Sequence, residues 1–330
     1  MTTRLLGETA VSAIGLGCMN LSHAYGIPPD RTSAIRLLNE ALDAGVTHLD
    51  TAALYGFGLN ESLLGEAVGH RRNEFLLASK CGMFKNAEGK REINGHPEVI
   101  KRTCEDSLRR LQTDIIDLYY LHRWDKSVPI EESVGALSEL VRQGKIKAVG
   151  LSEVSANTLQ KAHKVHPITA VQTEYSLWTR NPEIRVLETC LELGVAFVAF
   201  SPLARGFLGG HLLGVAGLAD NDIRRQMPRF EVDNYQRNLK LLQPLRTIAE
   251  QHQVSVAQVA LAWVLQQGSH ILAIPGTTNS QHLQENVAAM NLQLGTREMQ
   301  QLDEVFSPGA ISGARYNAAI QAEIDTEEFT

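Results

Sequence analysis

The stretch THLDTAALYGFGLNESLLGEAV (residues 47–68) sets a short apolar run closed by Asp50 ahead of a glycine-broken turn and a helix-forming segment. A buried strand that turns at once into a helix is half of a β/α unit. Tyr55 stands in that turn, five residues beyond Asp50. A turn is a poor place to hide a core tyrosine and a good place to present a phenol to a ligand.

Working outward, the same unit recurs. Near-continuous apolar runs fall at AIGLGCM (13–19), VTHLD (46–50), FLLASK (75–80), IIDLYYLH (115–122), IKAVGLS (146–152), ITAVQTEY (168–175), VAFVAFSPL (195–203) and HILAIPG (270–276). Such runs suit strands covered on both faces. Helical spacing fills the gaps. In RTSAIRLLNEALDAG (31–45), Ile35, Leu38 and Leu42 form one stripe that ends at Gly45. Pro97 and Pro182 each stand just inside an expected helix start, and Gly194 closes the second of these helices. Eight strands alternating with helices predict an α/β fold, the (β/α)8 TIM barrel, which takes about 250 residues plus insertions. No linker divides the chain, so residues 1–330 read as a single domain. Residues 204–234 are long for a connection; they read as a lid over the site or as a solvated insertion.

Composition narrows the function. The chain has 330 residues, 44% of them hydrophobic, enough for a large core. A net charge of −6 offers no basic field for nucleic acid or anionic lipid. No run approaches the ~20 apolar residues of a membrane span, and the N-terminus MTTRLLGETAVSAIG lacks the apolar run of a signal peptide. Cytoplasmic placement is expected, with no membrane or nucleic-acid partner. Cys18, Cys81, Cys104 and Cys190 lie far apart without metal-ligand spacing, so no metal is expected.

In a barrel of this kind the C-terminal strand ends converge on one rim, where chemistry sits. Strand 2 ends at Asp50 with Tyr55 just beyond, strand 3 at Lys80 and strand 4 at His122. Each has a plain structural reading: a helix cap, a turn aromatic, a lysine reaching for water, a core histidine. Together they make an acid catalyst. A phenol of pKa near 10 is a weak acid; an adjacent ammonium lowers it, a carboxylate makes that ammonium tolerable when buried, and an imidazole can orient the substrate oxygen. Lys80 could also serve a Schiff-base aldolase or isomerase, though Asp50 should keep it charged.

LDTAALYGFGLNESLLGEAV, with LLASK, LYYLHRWD, GLSEVS, VQTEYSLW, SPLARGFLGG and IPGTTNSQHLQENVAA in this order, resembles the aldo-keto reductase family along nearly the whole chain. RRQMPRF and the terminal GARY resemble its bacterial and plant branch that includes perakine reductase. The resemblance implies a TIM barrel with an N-terminal β-hairpin at its bottom and extra C-terminal helices. It implies reversible hydride transfer between a nicotinamide cofactor and a small aldehyde or ketone, without metal or flavin. A nucleotide-sensing subunit is the alternative from the same family; oligomeric state stays open.

The implied roles are Tyr55 as general acid, Lys80 as the residue that tunes it, Asp50 as partner of Lys80, and His122 as substrate orienter. Trp124 joins Tyr55 and His122 in contacting substrate, and Tyr25, Phe57 and Phe84 are expected to add apolar pocket walls. Met19, Asp50, Ser152 and Gln172 would surround the nicotinamide, and Tyr175 would stack under it. Ser201, Leu203, Ala204, Gly206, Phe207 and Leu208 would wrap the pyrophosphate, with Arg205 either adding charge or lying on the surface. Gly276, Thr277, Thr278, His282, Glu285 and Asn286 would hold the adenosine end. The arginine or lysine many relatives use for the 2′-phosphate is replaced by Thr278, Asn279 and His282. NADPH is expected, with NADH the alternative.

Overall fold

Each of the eight apolar runs forms a strand where it was expected. The structure is a computed structural model and describes residues 2–86 and 88–329. The strands are β1 (Thr3–Leu6), β2 (Thr9–Ser12), β3 (Leu16–Gly17), β4 (His48–Asp50), β5 (Leu76–Cys81), β6 (Met83–Lys85), β7 (Arg91–Ile93), β8 (Ile116–Leu121), β9 (Ile146–Ser152), β10 (Ile168–Glu174), β11 (Ala196–Phe200) and β12 (Ile271–Ile274). The helices are α1 (Arg31–Asp43), α2 (Leu59–Val68), α3 (Pro97–Leu111), α4 (Ile130–Arg142), α5 (Ala156–Val165), α6 (Val186–Leu193), α7 (Val232–Leu239), α8 (Leu242–His252), α9 (Val256–Gln266), α10 (Ser280–Ala288), α11 (Thr296–Val305) and α12 (Ala318–Gln321).

β3, β4, β5, β8, β9, β10, β11 and β12 form one parallel sheet. A parallel bridge between Ile14 and Ala273, with Gly15 N–H donating to Ala273 O at 2.9 Å, joins the first strand to the last. The result is the expected (β/α)8 barrel. The β1–β2 hairpin plugs its bottom: Leu6 and Val11 pack among Leu76, Ala170 and Ala196 inside the lumen.

Alternation along each strand sorts side chains into two layers. Leu118 and Tyr120, Ala196 and Val198, and Leu272 face the lumen, whereas Tyr119, Phe197 and Ile271 pack outward against the helices. The lumen is filled to contact. A Cβ on Gly150 would lie 2.3 Å from the Tyr120 ring, so only glycine lets that tyrosine cross the barrel.

Helix ends follow their sequence signals. Asp30 caps α1 by accepting from Ser33 N–H, and Gly45, just past its end, is left-handed at φ 86°. Pro97 opens α3 as expected. Pro182 instead opens a single 3₁₀ turn at 181–183, and α6 begins only at Val186. Residues 204–234 are not a solvated insertion. They fold into short turns with Leu218, Met227 and Phe230 buried. They dock on the loop after β3, where Ile223 N–H donates to Ala24 O at 3.0 Å. Among the described residues no helix is long and apolar enough to cross a membrane.

Candidate active site

The same alternation aims the rim residues. On β5, Leu76 and Ala78 face the lumen, so Lys80 does too, and Asp50 enters from neighbouring β4. Lys80 Nζ donates to Asp50 Oδ1, to Thr51 O at 2.8 Å and to Tyr55 Oη at 3.3 Å. An ammonium has three protons, and all three are used. Asp50 Oδ2 accepts from Gln172 Nε2 at 2.8 Å, reaching across from β10. Lys80 is wholly buried, and such a charge is stable only when paired and fully hydrogen-bonded.

Backbone geometry after β4 brings the phenol back to this ammonium. Gly56, Phe57 and Gly58 are all left-handed, at φ 55°, 53° and 94°. A Cβ on Gly58 would lie 2.7 Å from Arg110 Cδ. Arg110 cannot withdraw freely, because its Nε donates to the buried carboxylate of Glu61 at 2.7 Å. The turn is therefore wedged, and Tyr55 points inward rather than into solvent.

Burial pushes the Tyr55 phenol above its ordinary value, and the Lys80 ammonium opposes that push without overcoming it. The tuning inferred from the sequence is present, but in the free protein desolvation is the larger effect. Burial alone would lower the Lys80 ammonium; the charges of Asp50 and Tyr55 outweigh it and hold Lys80 above its usual value. A charged lysine is no nucleophile, which counts against Schiff-base chemistry. His122, at the end of β8, meets Tyr55 edge to face with ring centroids 5.8 Å apart. Burial, helped by the charges of Arg123 and Lys80, drives its imidazole well below the usual histidine range. It is neutral at neutral pH. Its Nδ1 is buried without a partner.

The remaining expected residues divide. Met19 follows β3 in a half-buried 3₁₀ turn. Ser152 Oγ accepts from Arg123 Nη1 at 3.3 Å, and Gln172 is bound to Asp50. Trp124 is half-buried beside His122, its Nε1 donating to Val128 O at 2.9 Å. Tyr175 does not face the mouth. With Gln172 inward, position 175 is outward by parity; the ring is buried against Phe197 and Trp263, and its hydroxyl donates to Glu183 at 2.9 Å. Stacking under a ligand is closed to it. The aromatic that does face the mouth is Phe200, half-exposed at the end of β11 and in line with Ala196 and Val198. Counting in twos along VAFVAF would have found it.

Beyond β11, Ser201, Ala204, Arg205 and Gly206 are left-handed, at φ 48°, 48°, 57° and 95°. The side chains of Ala204, Phe207 and Leu208 are buried, Phe207 stacked on Trp178 at 4.1 Å, so the loop is anchored, with Gly206 exposed. The N–H groups of Ala204, Gly206 and Leu208, expected to face a pyrophosphate, donate instead within the loop, to Ser201 O at 2.8 Å and to Leu203 O at 3.0 and 3.1 Å. Arg205 is neither on the surface nor free: its guanidinium donates to Glu174 at 2.6 Å. After β12, Gly276 and Thr278 are exposed and Thr277 is buried. Asn279 caps α10, its side chain accepting from the N–H groups of Gln281 and His282. The exposed His282 ring lies parallel to His211, with centroids 5.8 Å apart. Glu285 accepts from Gln281, and Asn286 is buried.

The expected aromatic walls need revision. Phe57 and Phe84 line a cavity of about 580 Å³ between the β6–β7 hairpin and α3, together with Lys85, Glu92 and Arg102. Tyr55, His122 and Trp124 are not in its walls. Tyr25 lies under the Arg224 guanidinium at 5.1 Å.

Residues 13–306 match the model of the Aldo/keto reductase family. A probable aldo-keto reductase 1 of Glycine max is 42% identical over 307 residues, covering 93% of this chain and 88% of that protein. A glycerol dehydrogenase of Gluconobacter oxydans superposes with a TM-score of 0.85 at 28% identity, over 93% of this chain and 96% of its own. An aldo-keto reductase of Klebsiella pneumoniae, solved in complex with NADPH, gives 0.72 at 28% identity, over 96% and 99% of the two chains.

Proposed function

The chain belongs to the aldo/keto reductase family, and from that premise we propose that it is an NADPH-dependent reductase of small aldehydes and ketones, with Tyr55 as the proton donor. The observation that carries the reading is the Tyr55 hydroxyl held 3.3 Å from an ammonium that is itself locked to Asp50. Three features between β11 and α10 support dinucleotide binding there: the half-exposed ring of Phe200, the left-handed backbone turn at 204–206, and the start of α10, where Thr278 and Asn279 are exposed and Ser280 is half-buried. These suit, in order, a flat ring, a pyrophosphate and a further phosphate.

A reduced dinucleotide held there would supply a hydride to the carbonyl carbon. The protein handles the oxygen. Neutral His122 can donate one ring N–H to it and fix its direction. Tyr55 gives its proton as negative charge develops, and the Lys80 ammonium stabilises the phenolate left behind. Asp50 and Gln172 keep that ammonium from moving toward the substrate instead. Arg123, the cation beside His122, is tied to His122 O and Ser152 Oγ, which favours uncharged carbonyl compounds over carboxylated ones. RRQMPRF and GARY place the chain, on our reading, in the bacterial and plant branch that includes perakine reductase.

The test is the absorbance of reduced nicotinamide, followed with NADPH and NADH against aldehydes, ketones and dicarbonyls. Turnover of at least one uncharged carbonyl, faster with NADPH, is expected. Cofactor binding with no turnover across the panel would instead favour a sensing role.

A further inference from the structure

The turn at 204–206 is costly to form. Left-handed backbone at Ala204 and Arg205, neither of them glycine, costs on the order of 1–3 kcal/mol per residue and persists only where the surroundings impose it. What imposes it at Arg205 is a buried ionic cluster drawn from three distant parts of the chain. Glu174, at the end of β10, accepts from Arg205 Nη2 at 2.6 Å and from Arg315 Nε at 3.0 Å. Arg315 Nη2 also donates to Glu153 Oε1 at 2.5 Å, and that oxygen accepts the backbone N–H of Glu174 at 2.9 Å. Tyr316 Oη accepts from Arg205 at 2.8 Å and lies 3.3 Å from Glu174. The side chains of Arg205, Glu174, Arg315 and Glu153 are exposed by 7%, 5%, 4% and 0%. This is a shielded cluster, not a surface pair.

Its topology is directional. Glu153 and Glu174 stand on adjacent barrel strands or just past them, and are rigid. Arg205 stands on the loop. Arg315 and Tyr316 come from the segment after α11, which is tied down further along. There Asp325 accepts from Ser155 N–H at 3.0 Å and from Thr158 Oγ1 at 2.7 Å, and Lys126 Nζ donates to Ile324 O at 2.8 Å. Among the described residues, Arg315 is the one side chain that grips both carboxylates. Without it, two buried negative charges adjoin, and Glu174 loses the neighbour that aligns it toward Arg205. Arg229 lies close by, its Nη1 donating to Thr179 Oγ1 at 2.9 Å while Thr179 donates to Glu174 Oε1 at 3.2 Å. The Arg229 charge thus acts on Glu174 through space, without pairing with it, and the Glu328 carboxylate acts on Arg229 in turn.

We propose that Arg315 and Glu174 are positioning residues for the dinucleotide: by seating Arg205 they hold the 204–206 turn in its anion-receiving shape, so cofactor affinity depends on the docked C-terminal segment. The inference rests on the proposed dinucleotide site and adds residues outside the contacts expected for the dinucleotide. It separates two properties. Affinity for the cofactor should fall when the cluster is cut, while the proton-transfer group, on β4, β5 and β8, should be left alone.

The experiment uses the full-length chain and the charge-balanced variant Glu153→Gln/Arg315→Met, with Arg315→Lys as a milder second variant. Amide exchange at residues 203–210 and NADPH dissociation constants are measured together, with kcat at saturating cofactor. Expected are faster exchange at 203–210 with unchanged β5 and β8 amides, NADPH binding weaker by on the order of tenfold, as for typical linked sites, and kcat within about twofold. Arg315→Lys, which keeps the charge but lacks the fork, should lie between. Unchanged exchange at 203–210 in both variants, or NADPH binding unchanged despite faster exchange, overturns the proposal. If the unmodified chain bound no dinucleotide, the functional reading would fail, yet the exchange arm would still decide whether Arg315 holds the turn.

Discussion

Tyr55→Phe isolates the chemistry from the architecture. The substitution removes one oxygen and leaves the ring in its edge-on contact with His122 at 5.8 Å. Lys80 loses one of three acceptors and keeps Asp50 and Thr51 O, so the folded state should lose about 1–3 kcal/mol, the cost of leaving one proton of a buried ammonium unmet. For a chain of this size that is a melting shift of roughly 1–4 °C. Turnover should respond far more. Loss of a positioned general acid costs about 10²–10⁴-fold, or roughly 3–5 kcal/mol of barrier. Activity should not vanish, since the Lys80 charge remains to steady a developing alkoxide. NADPH affinity should stay within about twofold, because no expected dinucleotide contact is lost. The assay is steady-state and single-turnover reduction, read by nicotinamide absorbance, beside a dissociation constant from fluorescence. Full turnover with phenylalanine at 55 would refute the mechanism; collapse of cofactor binding in parallel would mean that the hydroxyl holds the site together rather than acting as the acid.

Phe200→Ala should weaken dinucleotide binding by about 2- to 13-fold, the value of one aromatic contact, whereas Tyr175→Phe should cost only about 1 kcal/mol of stability through the Glu183 bond; titrations with NADPH separate the two. His282→Arg should raise the NADPH over NADH preference by about tenfold or more through a charge-assisted phosphate contact, read as a ratio of kcat/KM. The alkaline limb of reduction should fall above the ordinary phenol value of 10.0, since burial raises Tyr55, and Lys80→Met should move it higher by removing the opposing charge; a limb near neutrality would contradict this. Glu174 is held down to about 2 from 4.5, where burial alone would raise it, by the nearby guanidiniums of Arg205, Arg315 and Arg229. A depressed carboxylate stabilises the fold above 4.5 and loses that contribution as pH falls toward 2. Acid unfolding of Glu174→Gln should therefore be flatter across that window, measured by circular dichroism against pH.

Much of the barrel was legible because its signals are local. An apolar run bounded by turn residues states a buried strand without reference to anything else in the chain, and eight of them in alternation with helices leave little choice of topology. Three of the residues proposed for catalysis, Asp50, Lys80 and His122, shared that legibility, since each closes a run. Tyr175 shows how narrow the margin is. It also closes a run, but one residue out of phase with Gln172, and a single step along a strand exchanges the lumen for the helix layer. Phe200 is in phase with Ala196 and Val198, but the apolar run continues past it into SPL and hides the strand end. Pro182 carried a true helix-start signal, yet the chain needed one tight turn before α6 could pack.

What the sequence alone determined, then, is the strand and helix order and the placing of Asp50, Lys80 and His122 at strand ends, because both follow from periodicity within a few residues. Tertiary structure decided the rest. The net rise of the Tyr55 phenol depends on how deeply the turn is buried, and the inward aim of that turn depends on Arg110 wedged behind Gly58. The grip of Arg315 on Glu174 spans 141 residues. Such contacts have no period and no spacing rule, because the physical condition they satisfy, a charge removed from water and paired, exists only once distant segments have met.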